Sequence, residues 1–144
     1  MSPVTPYTIV IDNREQAPWR FTELTQGGEP LAVKTKWGTL QAGDYSIDGM
    51  ESLVAIERKS LSDLFSTVGR GRERFEREHQ RLAEMAFAAV VIEADWTTIL
   101  TGPPSHSRLD PENVFQTAVS WSIRYGVHWI PAGTRRRAEL TCFH

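Results

Sequence analysis

The sequence predicts an α/β domain, with a central mixed β-sheet flanked by helices. Three observations carry this expectation. Short β-branched or apolar runs, Tyr7–Ile11 (YTIVI) and Ala88–Ile92 (AAVVI), read as strands buried inside the protein. Segments with apolar residues at helical spacing are interspersed with such runs, so helices and strands mix along the chain instead of segregating. Asp48-Gly49, a strong hairpin signal, separates two extended runs, which makes one pair antiparallel and the sheet mixed.

In chain order, Tyr7–Ile11 is the first strand and stops at the polar turn Asp12-Asn13-Arg14-Glu15. Gln26–Pro30 (QGGEP) is a loop. Val33, Thr35 and Trp37 alternate with Lys34 and Lys36, the pattern of a half-buried strand with a basic outer face. Leu40–Ile47 is expected as a strand and Leu53–Lys59 as its hairpin partner. Ser60 is placed to cap a helix over Leu61–Val68, which Gly69–Gly71 ends. Arg72–Ala86 carries Phe75, His79, Leu82 and Ala86 at helical spacing, with His79 expected at the helix surface or the edge of the core. The strand Ala88–Ile92 runs into Glu93, and Thr101–Leu109 is an irregular loop. Asp110-Pro111 starts a helix that reaches about Tyr125 and stops at Gly126. Val127–Ile130 is a last strand, and a final helix is expected from Thr134. Trp121, Ile123, Tyr125 and Trp129 suit either a core or an apolar face between two copies.

Bulk properties bound the function. The 144 residues form a single expected domain, 1–144, without repeat, low-complexity segment or linker. A single cysteine, Cys142, excludes an internal disulfide framework and points to a reducing compartment, hence the cytoplasm. No run approaches the ~20 apolar residues of a membrane span, and the N-terminus does not read as a signal peptide. A net charge of −2 excludes nucleic-acid binding by bulk charge, so any such binding must come from local clustering.

The chemistry gathers in Val54–Phe65 (VAIERKSLSDLF), where an apolar strand ends in Glu57, Arg58 and Lys59. Side chains alternate along a strand, so Glu57 and Lys59 share one face and Arg58 takes the other. The hairpin brings Asp44 toward Glu57. Two carboxylates converging beside a lysine suit a hard divalent ion with oxygen ligands. Such an ion polarises a phosphoryl oxygen and acidifies a bound water, and the lysine positions that water or neutralises charge. Plainer readings stand beside this one. A Glu-x-Lys pair on a strand is more often a salt bridge or a solvated face. Ser60-Leu61-Ser62-Asp63 has the form of a capping box, which competes with a site role for Asp63. Asp44 after Gly43 also suits a turn, and Asp12 a cap. The histidines at 79, 106, 128 and 144 show no metal-ligand spacing, and no nucleophilic triad, P-loop or zinc motif is present.

Taken in order, the segments resemble the nuclease domain of the XPF-type structure-specific endonucleases, a branch of the restriction-endonuclease-like PD-(D/E)xK superfamily. The family signature is G-D, a spacer, then E-R-K-x-x-x-D, matched by Gly43-Asp44, Glu57-Arg58-Lys59 and Asp63. The family's opening D-x-R-E is matched by Asp12, Arg14 and Glu15, and its G-R before an amphipathic helix by Gly71-Arg72. A strand ending in glutamate matches Val90–Glu93, and the helix before Arg124–Val127 (RYGV) also fits. Members often carry glutamine on the helix after G-R, where this chain has Glu76 and Glu78. The tandem helix-hairpin-helix domain of eukaryotic and archaeal members is not matched, so a stand-alone bacterial or phage-like member is expected.

The resemblance implies a restriction-endonuclease-like fold and a Mg²⁺-dependent DNA endonuclease, with Mn²⁺ as a substitute, acting on branched or flapped DNA in repair, recombination or phage DNA processing. It implies Asp44 and Glu57 as metal ligands and Lys59 beside the attacking water. Arg58 and Asp63 would support the site, Asp12 and Glu15 would be auxiliary acids, and Arg14 and Arg72 would face DNA phosphates. Arg70 joins them on its own account, because Arg70 and Arg72 flank Gly69 and Gly71 in a turn able to bring arginines and backbone amides to phosphates. Lys34, Lys36 and Arg135–Arg137 are weaker candidates. Arg74, Arg77 and Arg81 interleave with Glu73, Glu76 and Glu78, as on a surface helix laced with ion pairs. A homodimer or a partner protein supplying DNA affinity is compatible with the resemblance. The alternative is a non-catalytic DNA-binding or scaffold subunit, since the family includes inactive partners.

Overall fold

The computed structural model describes residues 2–144. Six strands form one sheet: β1 (Val4–Asp12), β4 (Ala32–Gly38), β5 (Tyr45–Ile47), β6 (Val54–Lys59), β7 (Phe87–Ile92) and β8 (His128–Pro131). Their order across the sheet is β4-β1-β5-β6-β7-β8. β1 pairs antiparallel with β5, and β5 with β6, whereas β1/β4, β6/β7 and β7/β8 are parallel. The sheet is therefore mixed, as the Asp48-Gly49 turn predicts. A two-stranded ribbon, β2 (Thr25–Gln26) with β3 (Glu29–Pro30), replaces the expected QGGEP loop.

Alternation along β7 divides the core. Ala88, Val90 and Ile92 face the helices α1 (Leu61–Val68), α2 (Arg72–Leu82), α3 (Trp96–Thr101) and α4 (Pro111–Tyr125). Ala89 and Val91 face Trp19, Phe21, Leu24 and Ala138, the last on α5 (Arg135–Phe143). Because both faces are covered, β7 reads as a continuous apolar run instead of an alternating one.

The caps follow the sequence. The Ser60 side chain accepts from the Asp63 amide, Asp110 from Glu112 and Thr134 from Arg137, while Gly126 closes α4 in the left-handed region. Several expectations change. The strand expected over Leu40–Ile47 forms only at Tyr45–Ile47, because Gly43 has φ +74° and Leu40 and Ala42 turn into the core. The helix from Arg72 ends at Leu82, so that residues 83–86 can turn into β7. β4 is an edge strand exposed on both faces, with Trp37 47% exposed. α3 was not expected; Asp95 caps it by accepting from the Thr98 amide. Trp121 lies in the core, whereas Ile123 is 81% exposed.

His79 is fully buried, not at the surface. Its Nε2 accepts from Trp129 Nε1 (3.0 Å), so Nδ1 carries the proton donated to the Phe75 carbonyl (3.0 Å). The rings of Phe75, Trp121 and Trp129 surround it, with centroids 4.5–5.6 Å away. Burial pulls its pKa down to about 4.

Candidate active site

Asp44 is fastened to two strands. Its amide donates to Ile56 O on β6 (2.7 Å), and its carbonyl accepts from the Asp12 amide at the end of β1 (2.9 Å). Gly43 makes that approach possible. A Cβ there would stand 2.9 Å from Ile56 O, and the positive φ already favours glycine. The Asp44 side chain then reaches along β6, where Oδ2 accepts from the Arg58 amide (2.8 Å).

Strand parity does the rest. Glu57 and Lys59 project to the face covered by α1 and α2, at 8% and 9% exposure, with Lys59 Nζ 3.4 Å from Glu57 Oε1. The Lys59 ammonium lies 4.9 Å from the centroid of the buried Phe75 ring on α2, a cation–π contact that braces it from behind. Burial pushes both carboxyls up, Asp44 to about 9, with repulsion from Glu57 adding to its shift; Lys59 offsets only part of the shift on Glu57.

These residues floor a cleft of about 530 Å³ whose wall also carries Asp63, Arg70, Arg74 and Glu78. Asp63 stands at its edge. Its amide is capped by Ser60, while no bond from its carboxylate back to the cap is present among the described residues, so only half of a capping box forms. Glu78 adds negative charge that raises Glu57 further, and it pairs with Arg74 at 3.5 Å. Sequence reading placed Glu78 on the right helix without bringing it to the acids, and it missed Phe75 as a brace for Lys59. Only the orientation of α2 fixes both.

The other expected residues divide. Asp12, 1% exposed, accepts from Arg14 Nε (2.7 Å), Arg14 Nη2 (3.1 Å) and the Leu40 amide (2.9 Å). Burial opposes its ionisation, but these donors win and hold its pKa below the usual carboxylate value. Asp12 is thus occupied in positioning Arg14, whose largely exposed side chain reaches the cleft. Arg58 leaves through the opposite face. Its guanidinium binds Glu93 (3.1 and 3.4 Å), Glu15 (3.1 Å) and the Ala17 carbonyl (2.6 Å), and lies 5.4 Å from the Trp19 ring. Glu15, drawn into this network, does not line the cleft. Arg72 does not reach it either, because it donates to Thr117 Oγ1 (2.8 Å) and stacks over Trp121 at 4.8 Å. Arg135 and Arg136 are tied to carbonyls of the 17–23 segment, and Lys36 pairs with Asp48 at 2.6 Å.

The donor set fits a hard divalent cation. Two oxygen-bearing carboxylates with raised pKa values face each other over a single lysine, and such repulsion is relieved by a cation. Among the described residues no group of three His, Cys, Asp or Glu side chains is arranged around a metal position. Two carboxylates, with water completing the shell, match the coordination Mg²⁺ prefers.

A family model for the ERCC4 domain matches residues 11–141. The chain belongs to the ERCC4 domain family. None of the curated proteins matches it in sequence. Among solved structures, this ERCC4 domain is similar to XPF from Aeropyrum pernix, at 18% identity and a TM-score of 0.64, over 93% of this chain and 60% of that one. It is equally similar to XPF from Aeropyrum pernix in complex with DNA, at 19% identity and a TM-score of 0.64, over 94% and 60%. The chain thus spans about 60% of the length of these structures. The likeness shows that the ERCC4 domain shares their fold, a central mixed sheet flanked by helices. No described helix is long and apolar enough to cross a membrane.

Proposed function

We propose that this ERCC4 domain is a metal-dependent endonuclease that hydrolyses phosphodiester bonds in branched, flapped or otherwise structured DNA, in repair, recombination or phage DNA processing. The observation that carries this reading is the pair Asp44 and Glu57 beside Lys59 on the floor of one cleft. The DNA complex of the Aeropyrum pernix protein supports DNA as the substrate class.

In this reading Asp44 and Glu57 would hold Mg²⁺, or Mn²⁺ in its place. The ion, when bound, would polarise the phosphoryl oxygen and acidify a water. The remaining work falls to the chain. The Arg58 amide fixes Asp44 Oδ2, so the carboxylate keeps one orientation. Lys59, braced over Phe75, donates to the scissile phosphate and orients the attacking water. Arg14 and Arg70, on the cleft wall, bind flanking phosphates without reading sequence. Arg58 and Glu15 hold the strand that presents Glu57 and Lys59. A second copy or partner protein supplying DNA affinity belongs to the same reading, and α4 presents Phe115, Val119 and Ile123 to solvent.

The test is cleavage of end-labelled flap, fork, nicked, duplex and single-stranded DNA with Mg²⁺ or Mn²⁺. Cleavage is expected to vanish in EDTA and in Glu57→Gln. Lys59→Met is expected to bind DNA almost normally and to cut orders of magnitude more slowly at saturating enzyme, since a group used in the transition state lowers kcat and kcat/KM together. Full cleavage by Glu57→Gln would sink the assignment. Binding by a wild type that never cuts would favour the scaffold alternative.

A further inference from the structure

The connection between α3 and α4, residues 102–110, takes no part in the proposed chemistry, yet it builds the wall of a second concavity. This groove of about 1000 Å³ is lined by Phe65, Ser66, Gly69 and Arg70 on one side and by His106 and Arg108 on the other. It is continuous with the cleft, because Ser66 and Arg70 line both. Its wall is tied to α1 at one point and braced by bonds within the loop. His106 Nε2 lies 3.3 Å from Ser62 Oγ on α1, the Ser107 amide donates to the Pro104 carbonyl (3.0 Å), and the Leu109 amide donates to Ser107 Oγ (3.2 Å). Leu109 packs on the core beneath.

The charges in the groove are left without internal partners. Arg70 and Arg108 are exposed, and neither joins an ion pair among the described residues. Arg74 on the cleft wall and Arg124 on α4, by contrast, pair with Glu78 and Glu76. The acid that ends this loop, Asp110, is turned to the Glu112 amide as a helix cap. The one phenyl ring in the lining, Phe65, is buried, so it offers no platform for a base. Two free guanidinium groups, one on each side of a groove leading out of the cleft, suit a chain of phosphates.

We propose that this groove is a second phosphate track, carrying the nucleic-acid strand beyond the cleft, with Arg70 at the junction and Arg108 at the far end. This rests on the reading of the domain as a DNA nuclease. The track is sequence-independent, and it engages only strands long enough to leave the cleft.

The test is fluorescence anisotropy with labelled single-stranded DNA of increasing length, titrated against salt in EDTA. Wild-type affinity is expected to rise in two steps, as the cleft and then the groove fill. Arg108→Ala is expected to remove the second step, lose several-fold affinity for long strands alone, and lower their salt slope by about one unit. Arg108→Lys restores most of the loss, and Arg70→Ala weakens binding at every length. A loss in Arg108→Ala that is equal at all lengths, or absent at all lengths, would overturn the track while leaving the nuclease reading intact. A wild type that binds no DNA at any length would likewise overturn the track, while cleavage of the DNA panel decides the nuclease reading separately.

Discussion

On one face of β6, Arg58 meets Glu93, Glu15 and a main-chain carbonyl under the Trp19 ring. On the other, Glu57 and Lys59 meet Asp44 across a cleft. Both faces hold two acids around one buried cation, yet the first closes on itself. The guanidinium fork spans both acids, the Trp19 indole N–H donates to Glu93 (2.8 Å), and Arg135 adds a second cation 3.6 Å away. On the second face a lysine, a point charge, faces two carboxylates that burial has made reluctant to ionise. Perturbed acids arise in structural networks and in active sites alike. The difference here is completion: one network is closed by the chain's own hydrogen bonds, and the other leaves its carboxylates facing an open cleft.

The contrast breaks if both faces respond alike to loss of charge. Arg58→Met takes the guanidinium from Glu93 and Glu15 and is expected to cost about 3 kcal/mol in urea denaturation, the low end for a broken pair because Trp19 and Arg135 still partner Glu93. Arg58→Lys is expected to recover little of it, because an ammonium cannot span Glu93 and Glu15 together. Glu57→Gln should leave stability unchanged or raise it, since it removes a carboxylate repelled by its neighbour. Equal destabilisation by Arg58→Met and Glu57→Gln would erase the distinction.

A second test concerns the support behind the chemical face. The folded-state pKa of His79, about 4, lies below its usual 6.5, so the folded protein binds that proton less readily than the unfolded chain. The contribution of neutral His79 is therefore full above about pH 6.5 and lost as pH falls toward about 4, a total of about 3 kcal/mol. The difference in stability between wild type and His79→Gln, followed by denaturation across that window, should show this slope. A difference that stays flat would remove His79 from the account. The smallest effect lies where strand passes into helix. Ser60→Ala should cost about 1 kcal/mol through the lost cap. Asp63→Ala should cost less stability than that and more cleavage rate, because its carboxylate edges the cleft while its amide is what Ser60 caps. A melt and a cleavage assay on the same samples separate the two roles.

Much of this was legible in the sequence wherever the determining interactions are local. Strand parity alone puts Glu57 and Lys59 opposite Arg58, and Ser60, Asp110 and Gly126 mark helix ends by chemistry confined to one turn. Leu40–Ile47 misled because its apolar residues suit a strand, while the positive φ of Gly43 and the tight approach to Ile56 belong to tertiary contact. The same holds for orientation. Arg72 follows a glycine turn like a phosphate ligand, but Trp121, 49 positions later by the numbering, captures it. Glu78 and Phe75 join the site only because α2 packs on the sheet face that carries Glu57 and Lys59, and the short helix after Asp95 has too few residues to show a period.

The sheet edges carry one more consequence. β4 presents Lys34, Lys36 and an ion pair to Asp48 along one margin, and β8 ends the other after four residues with Pro131, which has no amide hydrogen to donate. Charged and truncated margins discourage a passing chain from adding itself as a further strand. Both devices work against edge-to-edge pairing of an open six-stranded sheet.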